Sequence, residues 1–366
     1  MSTASLVHSS DGAAPTDALE FELPPALEAH EPVERLGRRR DDVRLLVASA
    51  LDLTVRHHRF GELAALLEPG DLVVVNTSAT LAAAAPGHRT NGERVLVHFA
   101  TPAPAGLWIV ELRRLAPGGN RPVRDATRGE DIVLDAGGHV RLMAPVAERP
   151  DGGVRLWLAE TPLGECVESW LAAHGRPIRY TDTNRPVPLA DYQTVFAFSA
   201  GGEGSAEMPS AGRPFTPETI ASLVIAGVLV APLVLHAGVS SLEDGERPPA
   251  ERFEVPESTA AVVNHVHDQG GRVIAVGTTV VRALETVADS HGRAHPGRGW
   301  TELVLGPERP RRLVDGLLTG WHEPRSSHLR LLEAVSNRDV LDRSYAAALD
   351  AGYRWHEFGD LHLLLG

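Results

Sequence analysis

The sequence predicts an α/β main domain with a mixed sheet, into which a smaller all-β barrel is inserted. Strand-like and helix-like segments alternate from residue 162 to the end of the 366-residue chain, and this alternation is typical of a parallel or mixed sheet. Between residues 91 and 160, short apolar runs are instead separated by Gly and Pro turns. That second pattern is typical of a small barrel or sandwich.

The elements before residue 161 begin the main domain and then build the barrel. Residues 21–23 are predicted to form a short strand, 43–51 a strand, and 60–67 a short helix that Pro69-Gly70 ends. LVVVN at 72–76 has the composition of a buried strand. Five strand-like runs predict the barrel: ERVLVHFA, GLWIVELRRL, DIVLD, HVRLMAPV and VRLWLAE.

The segments after residue 161 complete the main domain. They predict, in order, a helix CVESWLAAHG, a strand VLVAPLVLH, a helix STAAVVNHVHDQGG, a strand RVIAVGTT, a helix VVRALETVADSHG, a strand TELVLGP, a segment LVDGLLTGW, two further helices and a closing strand. We therefore expect a disordered tail at 1–19, a discontinuous main domain at 20–77 and 162–366, and a barrel domain at 78–161.

The composition excludes several chemistries. All 35 basic residues are arginine, so no lysine amine is present to form a Schiff base with pyridoxal phosphate or a carbonyl substrate. A Walker A lysine and a kinase-type strand lysine are absent for the same reason. The single cysteine, Cys166, excludes an intramolecular disulfide and a multi-cysteine metal site.

The charge and the apolar pattern bear on partners and location. A net charge of −13 argues against sequence-independent nucleic-acid binding. Arginine runs at 38–40, 113–114, 121–128 and 309–312 are either local basic patches or ordinary solvated surface. Neither a signal peptide nor an apolar run of the ~20 residues that a membrane span needs is evident. We expect a cytoplasmic protein without membrane contact, as a monomer or weak dimer.

The most informative turn is RVIAVGTTVVRALE, residues 272–285. Gly277 allows a tight turn where a strand passes into a helix, and Thr278 or Thr279 can cap that helix and leave amides free for an anion. Arg282 and Glu285 lie three residues apart, so they can pair with each other or with a ligand. The alternative is an ordinary capped helix with a surface ion pair.

The histidines give weaker signals. His265 and His267 fall in a predicted helix, where residues two apart point in different directions, so they do not predict a metal site. His236 ends a strand and can face a cleft as an acid or base, although its position by itself favours a core histidine. The Gly- and Ser-rich segment 201–215 has the length of a lid or binding loop.

With these residues in view, the chain resembles the S-adenosylmethionine:tRNA ribosyltransferase-isomerase family of queuosine biosynthesis. The resemblance rests on FELPPALEAHEP, PGDLVVVN, YQTVF, PSAGRPFT, LVLHAG, ERFEVP, RVIAVGTTVVRALE, HEPRSS and YRWHEFGD. It implies an α/β domain with an inserted barrel. It also implies transfer of the ribosyl part of S-adenosylmethionine to a 7-aminomethyl-7-deazaguanine base in tRNA, with isomerisation to an epoxycyclopentanediol and release of adenine and methionine.

The resemblance implies S-adenosylmethionine as cosubstrate, with no metal, pyridoxal phosphate or nucleotide cofactor. Such a site needs a general base, a proton donor for adenine and fixed dipoles for developing charge. We assign acid–base chemistry to Glu251, His236 and His322. The expected substrate contacts are Tyr192, Gln193, Gly277, Thr278, Thr279, Arg282, Glu285 and Ser326.

The chain also departs from the family pattern. Ala79 and Ala84 stand where the family has arginines, and Pro214 stands where it has a histidine. Each lost arginine–phosphate contact is worth ~1–3 kcal/mol. Transfer to tRNA therefore stands beside two other hypotheses: a paralogue that uses S-adenosylmethionine with a non-tRNA acceptor, and an inactive ligand-binding homologue.

Overall fold

A computed structural model describes residues 19–116, 119–146, 153–164, 166–180, 187–199, 202–239, 249–324 and 326–366. The strands in these residues are β1 (Arg44–Ser49), β2 (Val55–Arg59), β3 (Leu72–Asn76), β4 (Ala84–His88), β5 (Arg94–Pro102), β6 (Trp108–Ala116), β7 (Gly119–Pro122), β8 (Asp131–Leu134), β9 (His139–Pro145), β10 (Leu156–Glu160), β11 (Leu229–Leu235), β12 (Glu251–Val255), β13 (Val273–Val276), β14 (Gly297–Thr301), β15 (Gly316–Gly320) and β16 (Leu361–Leu365). The α-helices are α1 (Leu63–Leu66), α2 (Val167–His174), α3 (Pro217–Ile225), α4 (Glu257–Asp268), α5 (Thr278–Thr286), α6 (Ser327–Val335) and α7 (Arg338–Asp350). Short 3₁₀ helices lie at Pro25–Leu27, Val33–Leu36, Phe60–Glu62, Pro104–Gly106, Leu189–Tyr192 and Ser210–Gly212.

The main sheet has nine strands in the order β14-β12-β11-β3-β13-β15-β16-β1-β2. Its centre, from β11 through β3 and β13 to β15, is parallel. The pairs β14–β12, β12–β11, β15–β16 and β1–β2 are antiparallel. The predicted fold class, an α/β domain with a mixed sheet, is confirmed.

The central strands are buried because helices cover both faces of the sheet. All five residues of β3 and all four of β13 are buried, which explains apolar runs without polar alternation. Val74 packs in the cluster that includes α4 and α5. Val73 and Val75 pack on the opposite face, with Phe215 and Leu223. The carboxyl ends of these strands therefore meet at one edge of a rigid layer.

The second sheet closes into the expected barrel. Its strands pair in the order β10-β9-β8-β4-β5-β6, and a further pairing of β10 with β6 closes the ring, while β7 pairs with the outside of β6. The barrel has its own apolar core, built around Val97, Phe99, Val110 and Leu142. Closure pairs the six ring strands on both sides, which removes the usual route to strand-to-strand aggregation along them. The division of the chain at residues 78 and 161 remains our proposal.

Two predicted strands are wrong and two observed barrel strands were missed. Residues 21–23 form no strand because Pro24 and Pro25 supply no N–H donors; Phe21 packs instead on the Tyr345 ring at 5.1 Å. The strand predicted at 301–307 lies earlier, at β14, where it pairs with β12. Strands β4 and β7 contain Pro and Gly and few β-branched residues, so their signal was weak.

The predicted disordered tail falls mainly outside the described residues. Residues 1–18 are not described, but Leu19, which we had placed in the tail, is 4% exposed and belongs to the main core. The tail prediction is therefore wrong for this residue. Apolar contact with the core is sufficient to order it.

Candidate active site

A cleft of about 770 Å³ opens between the main sheet and the barrel. Gly277 and Gly320 reach it from the carboxyl ends of β13 and β15, and Arg113 and Pro122 reach it from the barrel. Ligands of open α/β sheets bind at this edge of the strands. The volume lies within the range of sites for nucleoside-sized ligands.

The turn from β13 into α5 forms one wall of the cleft. Gly277 has φ of +91°, in the left-handed region that favours glycine, and its N–H donates to Leu318 O at 2.8 Å. Our expectation that Thr278 or Thr279 caps the helix is wrong, since Gly277 occupies the cap position and no side chain caps it. The first amides of α5 therefore face the cleft region without a side-chain acceptor, and this favours an anionic ligand.

An ion pair lies beside this turn. Arg282 donates to the Glu251 carboxylate, and its Nε donates to Leu303 O at 3.0 Å. Glu251 also accepts the N–H of Gly238 at 2.7 Å. Both charged residues line the cleft, and the carboxylate holds the guanidinium in place. This contact favours a positioning role for Glu251 over the acid–base role that we predicted.

Glu285 does not line the cleft and does not pair with Arg282. Its side chain is 3% exposed, and its carboxylate accepts N–H bonds of 2.9–3.2 Å from Arg312, Leu313 and Val314. It therefore anchors the loop before β15. The predicted substrate contact and the predicted pairing with Arg282 are both wrong, because these buried loop amides occupy the carboxylate.

His236 and Gln193 also lie outside the cleft, whereas Tyr192 lines it. His236 Nδ1 lies 2.8 Å from the hydroxyl of Ser78, and burial lowers the pKa of the imidazole. Gln193 bonds both the N–H and the C=O of Thr80, at 3.0 and 2.8 Å. These two side chains tie the segment that enters the barrel to the main domain. We therefore withdraw them as a catalytic and a substrate-binding residue.

Two histidines stack in the cleft wall. The rings of His322 and His328 are 4.6 Å apart and tilted by only 7°. His322 Nε2 lies 2.9 Å from the hydroxyl of Thr319. Burial, and then the neighbouring His328, hold the pKa of His322 well below its usual value, and burial with the charge of Arg282 lowers that of His328 to about 4. Both rings are therefore neutral at pH 7.

Ser326, predicted as a substrate contact, also lines the cleft at the start of α6. Its hydroxyl has no hydrogen-bond partner within the described part of the chain. The hydroxyl oxygen is buried, and a buried hydroxyl without a partner costs free energy that a ligand in contact with it would relieve. The position of Ser326 is thus compatible with its predicted role.

Sequence reasoning missed a pair of carboxyl groups in the cleft. Glu207 accepts a hydrogen bond from the hydroxyl of Tyr180, and the guanidinium of Arg113 lies 4.6 Å above the Tyr180 ring. Burial and the charge of Glu207 raise the pKa of Glu357 to about 8. Glu357 therefore carries a proton at neutral pH. The only signal for Glu357 in the sequence was its place in the HEFGD segment, which is part of one of the family motifs.

The described residues contain no group of three or more His, Cys, Asp or Glu side chains arranged to hold a metal ion. Among the same residues, no helix is both long and apolar enough to cross a membrane. The fold and the cleft together define an α/β enzyme with an inserted barrel that acts on a polar ligand of nucleoside size.

Comparison with known proteins identifies the family. A family model described as "Queuosine biosynthesis protein" matches residues 16–364. A Moorella thermoacetica protein named S-adenosylmethionine:tRNA ribosyltransferase-isomerase is 34% identical, over 95% of this chain and 99% of its own. An Acidiphilium cryptum protein of the same name is 36% identical, over 94% and 97%.

A solved structure agrees with these matches. The crystal structure of S-adenosylmethionine tRNA ribosyltransferase from Thermotoga maritima superposes with a TM-score of 0.52 at 28% identity, over 94% of this chain and 99% of that one. The chain belongs to the queuosine biosynthesis family, and the resemblance inferred from its sequence motifs is confirmed.

Proposed function

We propose that this chain transfers and isomerises the ribosyl group of S-adenosylmethionine onto a base of tRNA, as the names of its relatives describe. The observation that carries the proposal is the convergence, in one cleft, of the uncapped start of α5, the Arg282–Glu251 pair and the neutral His322. These groups meet three needs of the reaction: binding an anion, fixing dipoles and accepting a proton.

The methionine part of the cosubstrate fits the α5 wall. Its carboxylate would accept N–H bonds from Thr278 and Thr279 at the helix start, where the helix dipole favours negative charge. Arg282 adds a fixed positive charge on the same side of the cleft. Ser326, immediately before α6, lines the same cleft. The nucleoside would then extend towards Tyr192, whose ring packs on Phe358 at 5.2 Å.

Two groups in the cleft support an acid–base assignment for the reaction. The sulfonium makes the adjacent 5′ carbon acidic, and His322 is a neutral imidazole that can accept its proton. Departing adenine needs a proton, and Glu357 holds one at neutral pH. We therefore propose His322 as the base and Glu357 as the acid.

The acceptor proposed is tRNA. The hypotheses of a non-tRNA acceptor and of an inactive homologue are not favoured, because relatives that align over at least 94% of the chain carry the tRNA name. Cytoplasmic location and a monomeric or weakly dimeric state stay predictions.

Calorimetry with S-adenosylmethionine, followed by measurement of free adenine and methionine with and without substrate tRNA, tests the proposal. We expect binding, and release only when tRNA is present. His322→Gln should bind the cosubstrate but release adenine at least 100-fold more slowly, whereas the exposed control His291→Gln should match the wild type. Release without tRNA, or binding without release, would contradict the proposal in favour of the paralogue or the inactive homologue, respectively.

A further inference from the structure

His322, the base proposed above, is held in the cleft wall from three directions. Its backbone oxygen accepts the indole N–H of Trp355 at 3.1 Å, and the Trp355 side chain is fully buried. Its ring stacks on His328 of α6, with 4.6 Å between the ring centres. Its Nε2 lies 2.9 Å from the hydroxyl of Thr319, near the end of β15. A side chain held at its backbone, ring face and ring edge has little freedom to turn, so its two ring nitrogens have fixed and different surroundings.

The two ring nitrogens of His322 differ in what they contact. Nε2 is occupied by the hydroxyl of Thr319. Nδ1 makes no hydrogen bond with the residues that the structure describes, and those residues do not enclose it either. Since His322 lines the cleft, Nδ1 is the ring nitrogen that a ligand can reach. A neutral imidazole has one N–H and one lone pair, so the direction of the hydrogen bond at Nε2 decides which of the two Nδ1 presents to the cleft.

Thr319 is a firmly placed partner for His322. It is only 2% exposed, its backbone pairs with His362 of β16, and a β-branched side chain has few rotamers. Among the described residues, the His322 ring is the one hydrogen-bond partner of the Thr319 hydroxyl. Because Thr319 also lines the cleft, its hydroxyl hydrogen can point to a ligand or water there while its oxygen accepts the Nε2–H of His322.

We propose that Thr319 is a positioning residue for the transfer reaction: its hydroxyl oxygen accepts the Nε2–H of His322 and so keeps the Nδ1 lone pair directed at the cosubstrate. This inference rests on the proposed function. In the proton-transfer step, Nδ1 forms the new N–H bond as the 5′ C–H bond breaks, and the electron pair stays on the carbon beside the sulfonium. The ring becomes an imidazolium, and its hydrogen bond from Nε2–H to Thr319 becomes charge-assisted and therefore stronger. Thr319 thus stabilises the charge that forms on the base during the reaction.

The first test compares Thr319→Val, which keeps the side-chain shape and removes the hydroxyl, with Thr319→Ser, which keeps the hydroxyl. With substrate tRNA, Thr319→Val should release adenine about 10–100-fold more slowly, while its affinity for S-adenosylmethionine in calorimetry stays unchanged. Thr319→Ser should recover most of the rate. Thr259→Val is the matched control, because this threonine is 1% exposed and its hydroxyl donates to Pro232 O at 2.5 Å, away from the cleft. The control should lose a comparable amount of stability in thermal melts and keep the wild-type rate.

The second test measures the tautomer of His322 and needs neither turnover nor tRNA. In nitrogen NMR of isotope-labelled protein, the ring signals of His322 are assigned by their loss in His322→Gln. We expect a protonated Nε2 and an unprotonated Nδ1 in the wild type at pH 7. Thr319→Val should give a mixture of both tautomers, whereas Thr319→Ser should keep the wild-type signals. A hydrogen on Nδ1 in the wild type would overturn the inference, even where Thr319→Val fails to fold.

The outcomes separate this inference from the proposed function. If Thr319→Val keeps the wild-type rate, if Thr319→Ser is as slow as Thr319→Val, or if Thr259→Val is equally slow, the positioning role is wrong and the function stands. If the wild type releases no adenine even with substrate tRNA, the proposed function is overturned, while the tautomer measurement still decides whether Thr319 sets the state of His322.

Discussion

Replacing Glu357 by Gln should stabilise the folded protein above neutral pH. Glu357 shares the cleft with Glu207, and burial and that neighbouring charge raise its pKa from the usual 4.5 to about 8. Between these values the folded protein retains a proton that the unfolded chain has released. The free energy of unfolding therefore falls as pH rises through this window. Glutamine keeps the shape of the protonated side chain and has no proton to lose.

The magnitude follows from the width of that window. A raised pKa costs the folded state at most ~1.4 kcal/mol for each pH unit between the two pKa values. Glu357 is only half-buried and faces the water of the cleft, so screening reduces the effect. We expect Glu357→Gln to gain about 1–2 kcal/mol over the wild type at pH 8 and almost nothing at pH 5.

The assay is urea unfolding of both proteins at pH 5, 6, 7 and 8, with the exposed Glu254→Gln as control. The gain should grow steadily with pH for Glu357→Gln and stay near zero for the control. A gain of the same size at pH 5 and pH 8, or a loss of stability at pH 8, would refute the reasoning. A stabilised variant with slower adenine release would also fit the trade-off between stability and activity at catalytic sites.

Three further predictions concern two residues that line the cleft and one that packs behind its wall. Gly277→Ala should lower the free energy of unfolding by about 1–2 kcal/mol, because φ is +91° at this position. The variant should also bind S-adenosylmethionine more weakly in calorimetry. An unchanged melting temperature would contradict the expected backbone strain. Arg282→Met removes the cationic partner of Glu251, which is only 7% exposed, and should lower the free energy of unfolding by about 3–5 kcal/mol. The double variant Arg282→Met, Glu251→Gln should recover most of that loss. The pKa of His362 is lowered to about 3 by burial, and its ring stacks on Trp321 at 4.5 Å; because the unfolded imidazole takes up a proton first, stability falls as pH drops below about 6.5. His362→Phe should reduce that acid sensitivity by up to ~1.4 kcal/mol per pH unit, and unfolding curves at pH 5 and 7 would show no such change if the ring is solvated.

Much of the fold followed from local pattern. The apolar runs of β3 and β13, and the Gly277 turn into α5, were predicted correctly because they depend on neighbours in sequence: burial on both faces removes polar alternation, and a positive φ requires glycine. Strands such as β4, with Pro86 at its centre, lack a local signal. They form because their neighbours in the barrel offer hydrogen bonds.

The candidate site was likewise predicted only in part from the sequence. The start of α5, Arg282 and His322 were found from sequence, and all lie in the cleft. His236 and Gln193 had equally good local signals, yet their side chains bind the segment that enters the barrel. Which side of a strand end or loop a polar side chain takes depends on partners more than a hundred residues away, and no local pattern encodes that.

By itself, the sequence determined the fold class, the family and the chemistry excluded by an all-arginine set of cations. It left open whether the arginine runs along the chain are local basic patches or ordinary solvated surface. Only the tertiary structure decided which arginines meet carboxylates: Arg39 pairs with Asp41 in the same loop, whereas Arg114 of β6 pairs with Glu93, which precedes β5. Charge neutralisation acts through space, so the anion-binding surface depends on which side chains the fold brings together.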